Sequence, residues 1–242
     1  MSMEQIQNRV ARLTAIQKIE MADAPMPKAG PGEVVVKTEY CGICGSDMHF
    51  YTHGSIGKKV APFPFILGHE CSGYVAELGE GVTTLKVGDR VALEPGVPCG
   101  RCELCREGLY NLCPDVRFMA APPFDGALQN YLAHPADLCF RLPDSMTMQE
   151  GAMLEPLAVG MHAAKRGGVT MGQSVCILGS GTIGIMTLLA CKALGATRIV
   201  VSDLIESRLE SARAFGADVV VNPREQDLEA AVMELTGGAG CD

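Results

Sequence analysis

Three glycines, Gly179, Gly181 and Gly184, fall in a G-x-G-x-x-G between an apolar run and an amphipathic one. They leave the second part of the chain little freedom of fold. SVCILG (174–179) has the apolar, β-branched look of a buried strand, and TIGIMTLLACKALG (182–195) that of a helix ended by Gly195. The motif alone is a weak signal; between a strand and a helix it has a mechanism. The first glycine makes the tight turn, the second lets the backbone approach a pyrophosphate, and the third lets helix and strand pack closely. The free N–H groups and dipole at the helix start favour the phosphates.

The pattern continues after the turn. RIVVSD (198–203) reads as a strand, IESRLESARAFG (205–216) as a helix, DVVVN (218–222) as a strand, and a further helix runs from about Arg224 to Leu235. This βαβαβα order predicts a parallel sheet with helices on its faces. Asp203 ends the second strand 19 residues beyond Gly184, where an acid can bind the adenosine ribose hydroxyls. The acid favours NAD over NADP, while Arg208 weighs slightly the other way. Three strands and three helices amount to one mononucleotide-binding half of a doubly wound domain. The expectation is therefore the N-terminal part of a longer protein.

Up to about residue 155 the texture is different. GEVVVK (32–37), CSGYVAEL (71–78) and GDRVAL (88–93) are short apolar runs set between turn residues, which predicts β-sheet wound into a barrel or sandwich. Residues 97–125 form a cysteine- and proline-rich excursion with little periodicity, and a segment that long without a core needs a staple. Cys99, Cys102, Cys105 and Cys113 supply one, as C-x2-C-x2-C-x7-C. Four thiolates suit a closed tetrahedral zinc site, whose binding free energy folds the loop. An iron–sulfur cluster uses similar spacings, but nothing else in the sequence suggests its redox partner.

A second potential ligand set is dispersed: Cys44 in CGICGSDMH (41–49), His69 and Glu70 in GHE (68–70), and Glu155 in LEP (154–156). One thiolate, one imidazole and one carboxylate would leave a zinc position open for water or substrate. Spacing alone does not group residues so far apart. Cys41 and Cys44 also make a C-x-x-C, but no thioredoxin-like context follows it.

The bulk properties exclude other classes. With 28 acidic and 20 basic side chains the formal charge is −8 and no basic patch stands out, which argues against a nucleic-acid partner. MSMEQIQNRVARL lacks the apolar core of a leader peptide, and no run reaches the ~18 apolar residues of a membrane span. A cytoplasmic location follows as an expectation, and there the eleven cysteines stay reduced. Clustering then points to metal ligation rather than disulfides.

Taken in order, GHE, GDRVALEP, the four-cysteine loop, EPLAVGMHA and the glycine-rich turn resemble the zinc-containing medium-chain dehydrogenases. Within them the chain is most similar to the sorbitol (L-iditol)/xylitol dehydrogenase branch. The resemblance implies an α/β plus β architecture. A GroES-like β-barrel catalytic domain (1–156, with the lobe at about 97–125) precedes a Rossmann domain represented by its first half (157–242). It implies hydride transfer between a small-molecule polyol and NAD, with a catalytic and a structural zinc, in a cytoplasmic homotetramer with no membrane partner.

By motif, Cys44, His69 and Glu70 match the catalytic zinc ligands, and Glu155 a carboxylate on the substrate side that can exchange with Glu70. Tyr51 matches a substrate-side residue, Ile183, Asp203 and Arg208 cofactor-side residues, and Cys99, Cys102, Cys105 and Cys113 the structural lobe. Ser46 and His49 fall where the family's alcohol-oxidising members place a hydroxyl–imidazole proton relay. Ser46 alternatively caps a helix beginning near Asp47, and His49 is alternatively a surface residue. Phe118 either packs against substrate or belongs to the core.

His53, His134 and His162 read as structural, with His134 in a loop before a proline. Cys71, Cys139, Cys176, Cys191 and Cys241 read as small buried apolar residues. Two other functions share these features: a related dehydrogenase of threonine, arabinitol, galactitol or butanediol, and a non-catalytic, zinc-stapled NAD-binding scaffold.

Overall fold

The computed structural model describes residues 7–242, in two compact units: one ends at Glu155 and the other spans Pro156–Asp242. The leader-peptide reading falls partly on residues 1–6, outside the described residues. No helix among the described residues is long and apolar enough to cross a membrane.

In the first unit β1 (Asn8–Ala15) and β2 (Lys18–Ala24) form an antiparallel hairpin. Then come β3 (Glu33–Gly42), α1 (Gly45–His53), the two-residue strands β4 (Ser55–Ile56), β5 (Lys59–Val60) and β6 (Phe65–Ile66), and β7 (Glu70–Leu78). After β8 (Arg90–Leu93) and β9 (Gly96–Val97), the lobe contributes α2 (Glu103–Arg106) and β10 (Arg117–Phe118). β11 (Tyr131–Pro135), β12 (Cys139–Arg141) and α3 (Met148–Ala152) complete the unit.

The main sheet is antiparallel, in the order β11-β3-β7-β8-β12. Val34 and Val36 of β3, Cys71 and Val75 of β7, Val91 and Leu93 of β8, and Leu132 of β11 share one buried cluster. Removing such side chains from water contributes about 1.5–3 kcal/mol each for the larger ones. The short apolar runs of the sequence thus fold as expected, although β3 continues to Gly42, past the predicted 32–37. That extension matters, because its last residues pair with the start of β7: Cys41 lies opposite Cys71 and Gly42 opposite Glu70.

In the second unit α4 (Leu154–Arg166), which opens at the unit boundary, leads to β13 (Ser174–Leu178), α5 (Thr182–Ala193) and β14 (Arg198–Ser202). α6 (Glu206–Ala214), β15 (Val219–Val221) and α7 (Leu228–Leu235) follow. The three strands lie parallel in the order β13-β14-β15, as the alternating pattern requires. Ile177, Leu188, Cys191, Ile199, Val201 and Ala212 form the core between sheet and helices. Gly160 lets α4 approach α5 closely, since a Cβ there would collide with the Met186 backbone.

Several expectations need correcting. The last helix begins at Leu228, not near Arg224, because the Asp227 carboxylate accepts from the N–H groups of Glu229 and Ala230 and caps it there. His134 lies in β11 rather than a loop, with its Nε2 2.9 Å from the carbonyl of Glu94. A carbonyl only accepts, so this nitrogen carries the proton. Burial pushes the His134 imidazole down to about 4. Cys71, Cys139 and Cys191 are buried, but Cys176 and Cys241 are only half-buried. His53 and His162 are exposed, so neither packs in a core.

Candidate metal centres and nucleotide site

Cys44 is the N-cap of α1, the residue from which the helix springs. This overturns the capping role for Ser46, which lies inside the first turn. The capping carboxylate is that of Asp47, whose Oδ2 accepts from the Cys44 N–H at 2.9 Å. Its other oxygen, Oδ1, accepts from the Gly68 N–H at 2.9 Å. The same Oδ1 lies 3.9 Å from His69 Nδ1. Asp47 is 2 % exposed, so these contacts are what make its burial tolerable. A single buried carboxylate therefore joins the start of α1 to the segment carrying His69.

Glu70 follows at the first position of β7, opposite Gly42. A Cβ on residue 42 would collide with the Glu70 carboxylate, so glycine is what opens the space for that side chain. The result is that Cys44, His69 and Glu70 each offer a ligand atom within 4.8 Å of the others. A thiolate, an imidazole and a carboxylate at this separation fit a zinc ion with a coordination position left over.

The local electrostatics favour ligation. The hydrogen bond with His69 lowers the Cys44 thiol pKa against the opposing effect of burial, with Ser46 helping. Burial alone would lower the His69 pKa, but Cys44, Asp47 and Glu155 outweigh it and the net shift is upward.

Of the other expected residues, Glu155 and Phe118 lie beside His69. Glu155, on the first turn of α4, is not among the three clustered ligands. Burial raises its pKa and the Glu70 charge adds to that, while His69 opposes both. The Phe118 ring on β10 lies 5.5 Å from the His69 ring. Tyr51 is half-buried against Leu13, Phe50 and Phe65, within a core cluster. His49 is exposed on α1, with its ring 5.6 Å from that of His53. No hydrogen bond joins it to Ser46 among the described residues.

The second set is the four-cysteine loop, whose four sulfurs also lie within 4.8 Å of one another. Cys102 and Cys105 are 3.3 Å apart at sulfur, and the Cys113 sulfur accepts from the Cys99 N–H at 3.4 Å. Backbone N–H groups of Arg101 and Cys102 draw the Cys99 thiol down to about 6. All four donors are sulfur and no carboxylate or imidazole joins them, which suits a closed zinc site. Tyr110 donates to Glu94 Oε2 at 3.3 Å, tying the lobe to the residue after β8.

In the second unit Gly179 has φ 100°, open to glycine and strained for other residues. A Cβ at Gly184 would strike the carbonyl of Gly179, whereas nothing lies within 4 Å of a Cβ at Gly181. The second glycine thus borders free space and the third is packed, as the phosphate role demands. Asp203 Oδ2 accepts from the Ser180 N–H at 2.8 Å and Oδ1 from the Ile205 N–H at 3.0 Å. Arg208 Nη1 is 3.7 Å from the same Oδ2. These contacts, that with Ser180 first, lower the Asp203 pKa against a small opposing effect of burial. Gly179, Asp203, Ile205, Arg208, Pro223 and Arg224 border an open pocket of about 560 Å³. Ile183, on the first turn of α5, is 42 % exposed and outside that lining.

Sequence reasoning missed Asp47, Gly42 and Arg224. A signal existed for Asp47: an acid three residues after an N-cap is the capping-box spacing. Gly42 and Arg224 gave none, since their roles depend on strand register and on a loop seen only in three dimensions.

Residues 30–144 match the Alcohol dehydrogenase GroES-like domain family, and residues 182–242 match the Zinc-binding dehydrogenase family. The chain is 48 % identical to the sorbitol dehydrogenase of Bacillus subtilis over 93 % of its own length and 64 % of that protein's. It is 44 % identical to a probable D-xylulose reductase A of Aspergillus terreus, over 98 % of this chain and 68 % of that one. An Escherichia coli oxidoreductase/dehydrogenase of unknown specificity superposes with a TM-score of 0.94 at 46 % identity, over 98 % of this chain and 69 % of its own. The chain thus spans about two thirds of the length of these relatives.

Proposed function

This chain belongs to the zinc-binding alcohol dehydrogenase family, and on that premise we propose that its protein transfers a hydride between a polyol of the sorbitol, xylitol or L-iditol type and NAD, giving the ketose. The observation that carries the reading is the convergence of Cys44, His69 and Glu70, a donor set with a position to spare. A pure scaffold would gain nothing from an incompletely coordinated metal.

In this reading residues 1–156 form the catalytic domain and residues 157–242 the first half of the NAD-binding domain. Zinc held by Cys44, His69 and Glu70 would supply Lewis acidity to a substrate hydroxyl, and NAD a hydride acceptor. Glu155, with its raised pKa, would hold or release a proton at its carboxylate beside His69, and is the carboxylate that could stand in for Glu70 as a ligand. Ser46, beside the Cys44 sulfur, and the exposed His49 further along α1 would relay the hydroxyl proton to water, a role that rests on the family resemblance because no hydrogen bond joins the two among the described residues. The Phe118 ring, 5.5 Å from that of His69, supports a role in shielding that side from water. The substrate-side role of Tyr51 rests on the family resemblance alone, since its side chain packs against a core cluster. Gly179 and Gly181 shape the turn that receives the cofactor phosphates, Gly184 lets helix and strand pack behind it, Ile183 stands on the cofactor side, and Asp203 and Arg208 take the adenosine ribose. Cys99, Cys102, Cys105 and Cys113 hold a structural zinc that takes no part in chemistry.

The reading extends to a cytoplasmic homotetramer, acting on small molecules without nucleic-acid or membrane partners. The negative charge supports the lack of a nucleic-acid partner, and the metal-ligand clustering of the cysteines a reducing compartment, while the homotetramer rests on the family resemblance. The test is a substrate panel of sorbitol, xylitol, L-iditol, threonine, butanediol and ethanol with NAD. NADH formation with the polyols is expected; oxidation of threonine or ethanol alone would overturn the assignment.

A further inference from the structure

Ser72, two residues beyond Glu70 on β7, is fully buried. Its hydroxyl donates to the carbonyl of Met148 at 2.6 Å, across 76 residues of chain. Met148 is the first residue of α3, so the strand that carries Glu70 also grips the helix that leads to Glu155. All of these residues belong to the first unit. Glu155 lies three residues beyond Ala152, the end of α3, and its charge is felt at His69 and at Cys71, the residue before Ser72.

The grip is part of a wider attachment. Gly151 lets α3 approach β7, since a Cβ there would crowd Leu142 and Ser72. Gln149 Nε2 donates to the Tyr40 hydroxyl of β3 at 2.9 Å, and the Arg90 guanidinium of β8 donates to the carbonyl of Met146, just before the helix. Three neighbouring strands thus hold one short helix, whose start is closed by the capping box of Thr147 and Glu150. Of these three hydrogen bonds only that of Ser72 is fully buried, where no water can replace the donor. The apolar cluster of Ala92, Leu142 and Met148 attracts α3 without direction, whereas a hydrogen bond fixes one place along the strand.

We infer that Ser72 is a positioning residue: through the Met148 carbonyl it sets where α3 ends, and so keeps the Glu155 carboxylate within reach of a metal ion on Cys44 and His69. The inference rests on the reading of Glu155 as the carboxylate able to stand in for Glu70, and extends it to what holds that stand-in in place. One strand, β7, then governs both carboxylates, Glu70 directly and Glu155 through the helix it grips.

Cobalt(II), titrated by its visible absorption into the Cys44 site of a chain whose four-cysteine loop already holds zinc, tests this without turnover. In a Glu70→Gln chain the third ligand is Glu155, so adding Glu155→Gln should weaken cobalt by about tenfold or more. With Ser72→Ala also present, adding Glu155→Gln should change the affinity by less than about twofold, because the carboxylate has already left the site. Gly151→Ala, which crowds α3 away from β7, should abolish the Glu155 effect by a second route. Val34→Ala, a core truncation at the far end of β3, should lower Tm and leave that effect at about tenfold. An undiminished Glu155 effect in the Ser72→Ala or the Gly151→Ala chain would overturn the inference while leaving the stand-in role of Glu155 standing. So would its loss in the Val34→Ala chain, since any destabilisation would then suffice. No Glu155 effect in a Glu70→Gln chain that keeps Ser72 would overturn the stand-in reading and the inference together.

Discussion

The carboxylate of Asp47 accepts a hydrogen bond from the backbone N–H of Gly68 at 2.9 Å, across 21 residues of chain. With its other oxygen on the Cys44 N–H, it spans the two segments that supply the thiolate and the imidazole. Its contribution is to position them.

Asp47→Asn should expose that role. One oxygen becomes an N–H2 donor facing a backbone donor, which forfeits a buried hydrogen bond at a cost of about 1–3 kcal/mol. Zinc affinity at the Cys44 site should fall about 10–100-fold, the usual effect of losing an outer-shell partner. The four-cysteine zinc should stay. Chelator competition on protein loaded with two zincs distinguishes the sites; equal loss of both would show that Asp47 serves the fold in general.

Gly42→Ala tests the register argument. The new methyl group would displace the Glu70 carboxylate while the hydrophobic cluster around Val36 and Val75 is left intact. The expected outcome is a Cys44-site zinc affinity lowered about tenfold or more with little change in Tm. Unchanged affinity would mean that Glu70 is not a ligand.

Cys113→Ser should act on the lobe. Losing one of four thiolates removes the staple from a segment with little core of its own. Limited proteolysis should then cut within residues 97–125, while a zinc remains at Cys44. Cys44→Ala should do the reverse, losing one zinc and keeping the lobe protected. A Cys44→Ala chain that unfolds would mean the structural and catalytic assignments are exchanged.

His134 carries the clearest pH dependence. Its folded pKa of about 4 lies below the ordinary 6.5, so the unfolded chain binds a proton first as pH falls. The neutral side chain costs nothing above pH 6.5. Below it, stability should drop by about 1.4 kcal/mol per pH unit until about pH 4, roughly 3 kcal/mol in all. Urea unfolding of the chain and of His134→Phe as a function of pH should differ in slope over that window. NMR titration of the imidazole near 6.5 would contradict the burial argument.

How much was legible depends on the distance over which each feature is encoded. The parallel sheet, the glycine turn and the offset of Asp203 were readable because each follows from local geometry or a short repeat. The last helix begins at Leu228 rather than near Arg224 because Asp227 caps it there, although Arg224, Glu225 and Gln226 just upstream are themselves good helix formers. The proline after His134 suggests a loop, whereas β11 runs through His134 and ends at that proline.

The sequence by itself determined the four-cysteine site, since fifteen residues hold all its ligands and a short loop can hardly separate them. It likewise determined the phosphate turn, where one glycine must lack a Cβ for strand and helix to meet. Only the tertiary structure brings a carboxylate, that of Glu70, within 4.8 Å of the Cys44 and His69 ligand atoms. That convergence follows from the pairing of β3 with β7, which sets Glu70 opposite a glycine, and from a buried aspartate bridging two segments. Strand register and long-range hydrogen bonds arise from the packing of the whole unit, so no local spacing records them. The outward placement of Arg224 beside Asp203 is of the same kind, a loop brought to a pocket by the sheet it follows.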